Sequence, residues 1–228
     1  MDSALRLKVT MAVRVRDLLV ANPFGDEAAD QVAAQFVAQV VKAQALLTAQ
    51  ESGELASRTA TRRRRALRRE MLQVPLRHLL SLARSVAAAN PGVASGIKRP
   101  AFGRSEEAFQ ASVRAIVQEI EAHRDLFLAS GMSPESLVEL DRQLTAYQEA
   151  VGEANAGRRA HTGARAELRA VTSELMRILK QLDGIVVYRF RDRADLLGSW
   201  KSARNVAWPL SEPAKSGEAG PAEVKPAA

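Results

Sequence analysis

The stretch Ser136-Leu-Val-Glu-Leu-Asp-Arg-Gln-Leu-Thr-Ala-Tyr-Gln-Glu-Ala-Val151 decides the fold. Leu137, Leu140, Leu144, Tyr147 and Val151 recur at the three- and four-residue steps of a helix seam, with polar residues between them. The seam resumes at Leu168, Val171, Leu175, Ile178 and Leu182. Gly152, Asn155, Gly157 and Gly163 interrupt it, so a bend, a break or an overhang is expected near 152–163. Upstream, Gly131-Met-Ser-Pro134 reads as a stop and restart, with Ser133 as cap and Pro134 as first helical residue.

Working outward, the same period recurs. Phe109, Val113, Ile116, Ile120 and Phe127 predict a helix behind Ser105. Leu67, Met71, Val74, His78, Leu82 and Val86 predict one over about 55–89, kinked at Pro75. Val32, Phe36, Val40, Ala43 and Leu47 predict one over about 27–51, capped by Asp26 and ended by Glu51-Ser-Gly53. Residues 4–20 fit a strand in part and a helix in part; a lone strand would have no partner, so helix is expected. A short helix is expected at 194–206, and the segment from Asn90 to Gly103 reads as loop. The expectation is an all-α, antiparallel up-down bundle of two consecutive hairpins turning at Gly53 and Gly131, plus short terminal helices. It forms one domain over 1–207, followed by a disordered tail over 208–228.

Composition agrees. Apolar residues make up 46% of the 228, enough for a core, while aromatics are only 4%. There is no cysteine, which excludes disulfides, thiolate chemistry and cysteine-based zinc sites, and fits a reducing cytosol. No uninterrupted apolar run approaches the ~20 residues of a membrane helix, and Met1–Arg16 scatters charge through its apolar residues. A cytoplasmic protein without a membrane partner is expected. The net charge of +7 permits an anionic partner without requiring one.

Thr61-Arg-Arg-Arg-Arg-Ala-Leu-Arg-Arg69 is the most conspicuous local feature. With Arg58 it gives seven arginines: Arg58, Arg62, Arg63, Arg64, Arg65, Arg68 and Arg69. They spread around the helix, and Arg64 and Arg68 fall on the core side. Either Pro75 changes the phase, or that flank meets acids such as Glu135, Glu139 and Asp141. Guanidinium groups also neutralise phosphates, so the cluster is a candidate anion site. Few aromatics interleave to stack on bases. Solvated or internally paired arginines are the reading to beat.

The three histidines lie on or beside seams but far apart along the helices. Glu119 and His123 are spaced to interact with each other, and residue 120 is Ile rather than the Glu of a di-iron motif. No metal or cofactor is expected. Ala156-Gly-Arg-Arg-Ala-His-Thr-Gly163 lacks the P-loop pattern, and its small residues suit close helix packing or a bend. Residues 58–82 and 158–182 are faintly similar, as helices rich in Ala, Leu and Arg often are. Tyr188, Phe190, Trp200 and Trp208 concentrate aromatics near the C-terminus. They either fold back as a cap or form a partner-binding surface. No Ser-His-Asp grouping or paired carboxylates suggest catalysis.

Leu76-Arg-His-Leu79, Glu121-Ala-His-Arg124, Ala156–Ala164, Leu182-Asp-Gly184, Tyr188-Arg-Phe-Arg-Asp192 and Trp200–Val206 together resemble recurring segments of a family of bacterial helical proteins with no assigned activity. The likeness runs over most of 5–206, with Thr162 where that family carries Val. It implies a bacterial cytosolic helical protein and transfers no catalytic residue. The expectation is a non-enzymatic bundle acting through protein–protein contact, scaffolding or self-association. Nucleic-acid or polyanion binding through Arg58–Arg69 is the alternative.

Overall fold

A computed structural model describes residues 3–93, 97–100 and 105–206. Its helices are α1 (Ser3–Ala21), α2 (Glu27–Gln73), α3 (Pro75–Ala89), α4 (Glu106–Ala122), α5 (Arg124–Ala129), α6 (Glu135–Arg189) and α7 (Ala194–Ala203). No strand occurs among the described residues, and the protein is all-α. Trp208 and the expected tail over 208–228 lie outside the described residues.

Several expected elements are present. Burial of Val9, Met11, Ala12, Val15 and Leu19 follows the helix period, which resolves 4–20 as helix. Asp26 caps α2, its Oδ1 accepting from the Ala29 amide at 3.0 Å. The Ser105 hydroxyl caps α4, accepting from Ala108 at 3.2 Å. Gly131 takes φ 94° at the reversal into α6. Pro75, which has no amide hydrogen, separates α2 from α3 at the single residue Val74.

One expectation is corrected. Gly53 is no turn: α2 runs for 47 residues through it. Of the three alternatives at 152–163, the break does not occur: α6 is 55 residues long and continuous, against 17 for α4. The physical reason is shared. Gly53 and Gly157 meet backbone to backbone, so each serves as a gap for a neighbouring helix rather than as a chain reversal. A mid-helix glycine costs only about 1 kcal/mol, which packing of the flanking seam offsets. The helix expected behind Ser105 is also divided in two, at His123.

The residues group into two compact units, 1–44 with 168–228, and 45–167. The long helices α2 and α6 each contribute to both. In the first unit, Val15, Phe36, Val40, Leu175, Leu182 and Val186 are buried, as is Trp200 of α7. α2 includes an 18-residue window of mean hydropathy 1.3, long and apolar enough by composition to cross a membrane. Phe36, Val40 and Ala43 on that helix are fully buried in the protein, although only 22% of that window is buried.

In the second unit the core joins Met71, Leu76, Leu79 and Val86 to Phe109, Ile116, Ile120 and Phe127 and to Leu137, Leu140, Leu144 and Tyr147. Each such side chain contributes about 1.5–3 kcal/mol by leaving water. Contacts fix the directions of the helices. Gly53 faces Gly157, while Glu70 faces Gln143, so α2 and α6 run antiparallel here. Arg64 meets Glu106 and Arg68 meets Phe109, so α4 runs the same way as α2. The chain after α3 therefore returns along the unit before α4 begins. Ile97 and Lys98 lie beside Ser112, Ile116 and Glu119 of α4 on that return. Only the turn at Gly131 forms the hairpin expected of it.

Candidate polyanion interface on α2

The helix period sorts the seven arginines into two sets. Arg64 and Arg68 point toward the core, as their phase implies. The Arg64 side chain is only 17% exposed and pairs with Glu106 at the start of α4. Arg68 lays its guanidinium 4.5 Å over the Phe109 ring, which in turn meets Tyr147 edge-on at 5.3 Å. Burial pushes the Tyr147 hydroxyl above its ordinary value, and the positive charges of Arg68 and Arg64 oppose that rise. Arg63, on the flank, reaches Glu153 at 3.2 Å and Glu149 at 3.8 Å on α6. The acids on this flank are thus Glu106, Glu149 and Glu153. The expected Glu135, Glu139 and Asp141 sit further along; Glu139 is held by Arg142 at 2.7 Å and by Gln143 at 2.8 Å.

The second set is Arg58, Arg62, Arg65 and Arg69. Their spacing of four, three and four residues makes one outward stripe, and all four are exposed. Arg58 pairs with Glu54, one turn before it, at 2.5 Å. Among the described residues, Arg62, Arg65 and Arg69 have no acid within ion-pair distance. The stripe spans about 17 Å on an unbroken helix.

Two residues absent from the sequence-based site continue this face. Arg77 and Arg84 on α3 are exposed. Burial of Pro75, Leu76, Leu79, Leu80, Ala83 and Val86 keeps the same side of the chain inward past the kink. The step of four from Arg69 through Gln73 to Arg77 was the available signal.

The aromatic candidates are mostly used internally. Trp200 is 3% exposed and donates its indole N–H to Asp183 at 2.9 Å. Asp183 also pairs with Arg204 at 2.9 Å. Trp200 is thus buried and joins α7 to α6 through Asp183. Phe190 stacks on Phe24 at 5.5 Å between centroids. Among the described candidates, Tyr188 alone is widely exposed, at 69%.

Among the described residues no group of three or more His, Asp or Glu is placed to hold a metal ion. His161 Nδ1 contacts the Gln50 carbonyl at 3.1 Å, and His123 lies 3.8 Å from Glu119. His78 lines an open cavity of about 440 Å³ at the kink, together with Glu70, Val74, Pro75, Glu135 and Glu139.

The chain matches no protein-family model, no curated protein and no solved structure at a significant level.

Proposed function

We propose that this protein is a non-enzymatic helical protein that binds a polyanion through the outward stripe of α2. One observation carries the reading: the fold engages Arg63 with Glu153, Arg64 with Glu106 and Arg68 with the Phe109 ring, and leaves Arg62, Arg65 and Arg69 exposed with no acid within ion-pair distance among the described residues. Paired surface arginines would only support solubility and contribute little. A row of unpaired guanidinium groups on a rigid helix concentrates positive field and offers forked donors to phosphate or sulfate oxygens.

The test is fluorescence anisotropy with labelled DNA, RNA and heparin at several salt concentrations. The triple variant Arg62→Glu, Arg65→Glu, Arg69→Glu should lose affinity at least about tenfold and flatten the salt dependence. Its melting temperature should stay near that of the parent, because the three side chains are exposed. Unchanged binding in this variant, or no binding by the parent, refutes the reading.

A second reading, contact with a protein partner, rests on the exposed Val187–Tyr188 pair at the end of α6, 61% and 69% exposed. Tyr188→Ala with Val187→Ser should then abolish self-association or partner capture without unfolding the chain. Retention of both would remove this reading.

A further inference from the structure

We infer that the polyanion is a nucleic-acid duplex, contacted through its backbone, and that the basic track continues past the Pro75 kink through Arg77 and Arg84. This rests on the polyanion reading above.

Three observations lead there. First, the track is long. Arg58 to Arg84 covers about 39 Å of helix axis before any shortening at Val74, against about 34–36 Å for one turn of B-form duplex. The side of the chain that is buried in the core stays constant across the kink, so Arg77 and Arg84 face outward as Arg69 does. Second, the track carries no exposed aromatic residue. Single strands bind sequence-tolerant proteins largely by stacking bases on aromatic rings, and nothing of that kind is offered here. A duplex presents phosphates outward and needs no stacking. Third, the track lacks the apolar face that an anionic membrane would require. Leu55 and Val74, 67% and 66% exposed, are the large exposed apolar side chains along it, and two side chains nineteen positions apart do not make the continuous apolar face of an interfacial helix.

The chemistry is therefore guanidinium-to-phosphate contact without base reading. Affinity should be insensitive to sequence and steep in salt. Five contacts, from Arg62, Arg65, Arg69, Arg77 and Arg84, give a slope of log K against log salt of about −4.5, at ~0.9 per duplex phosphate.

The experiment measures binding of the full chain to a labelled duplex of about 20 base pairs, the matching single strand, and heparin, across a salt series. Duplex should bind several-fold tighter than the single strand or heparin. The pair Arg77→Gln, Arg84→Gln should weaken duplex binding about tenfold and reduce the slope by about 2. An Arg99→Gln variant, outside the track, should change neither. If the single strand or heparin binds as tightly as duplex, or the Arg77/Arg84 pair leaves the slope unchanged, this inference is overturned. The polyanion reading still stands in that case, provided that the α2 triple variant loses binding. If that variant also binds normally, both are overturned. Circular dichroism of each variant confirms that lost binding is not lost folding.

Discussion

Gly157 and Gly53 meet with no room for a side chain on either. A Cβ on Gly157 would lie 2.9 Å from the Gly53 carbonyl oxygen, and one on Gly53 would lie 3.1 Å from the Gly157 carbonyl oxygen. The Gly157 position is tighter still against the Ser57 amide nitrogen, at 2.6 Å. Backbone atoms on both sides cannot swing away as a flexible side chain would.

Gly157→Ala should therefore destabilise the protein by about 1–3 kcal/mol, despite the helix propensity it gains. Gly152→Ala and Gly163→Ala, on the same helix, meet nothing within 4 Å. They should instead stabilise by up to about 1 kcal/mol. Urea titrations of the three variants check this; equal effects at all three sites would show that Gly157 is not a crossing point.

The cation–π contact of Arg68 with Phe109 should appear as coupling in a double-mutant cycle. Arg68→Leu and Phe109→Leu, singly and together, are expected to give a favourable interaction of about 0.5–2 kcal/mol. Additive effects would mean that the guanidinium only passes near the ring.

Trp200 ties α7 to α6 through Asp183. Trp200→Phe keeps most of the buried ring and removes the indole donor, so it should cost about 1.5 kcal/mol. In a Trp208→Phe background, the emission of Trp200 should be that of an indole out of water, shifting to the red when α7 detaches. A solvent-like spectrum in the native protein would contradict this anchor.

Acid should destabilise the fold, and the direction follows from the carboxylates. Asp26 titrates below its ordinary 3.8 because the Ala29 amide donates to it and Arg189 lies beside it. Glu135 and Glu139 titrate below 4.5, through the Ser133 hydroxyl and Arg142 respectively. Groups with depressed values bind fewer protons folded than unfolded. Their contribution is present above the ordinary values and is lost as pH falls through the depressed ones. Melting temperature should therefore begin to drop near pH 4.5 and fall further below 3.8. Asp26→Asn keeps an N-cap but gives up the charge, so its acid-side drop should be shallower. An identical drop in parent and variant would rule Asp26 out as a contributor.

What could be read from the sequence was what depends on near neighbours. The seams, the Asp26 and Ser105 caps, the Pro75 interruption and the Gly131 reversal all declare themselves within a few residues. So did the inward phase of Arg64 and Arg68. Gly53 misled because Ser52-Gly53 looks the same whether glycine ends a helix or lets another helix in; the deciding residue, Gly157, lies about a hundred positions away. The partners of the inward arginines were misplaced for a similar reason. Choosing Glu106 over Glu135 requires knowing that the chain after α3 doubles back before α4. The sorting of the arginine cluster into an inward set and an outward stripe needed only the helix period, but what each inward arginine meets needed the neighbouring helices.

The order in which the chain is made bears on the unit built from 1–44 and 168–228. Its second half is synthesised only after the whole intervening unit, roughly 120 residues later. At about 5–20 residues per second that is a delay on the order of ten seconds. Through that interval Val9, Val15, Phe36 and Val40 lack the second half of the unit in which they, Leu175, Leu182 and Trp200 are all buried. Residues 45–167, whose core comes from one contiguous stretch, can close first. Until 168 onward is made, the apolar seams of α1 and of the first turns of α2 are the uncovered ones, and a chaperone acting on the nascent chain would find its substrate there.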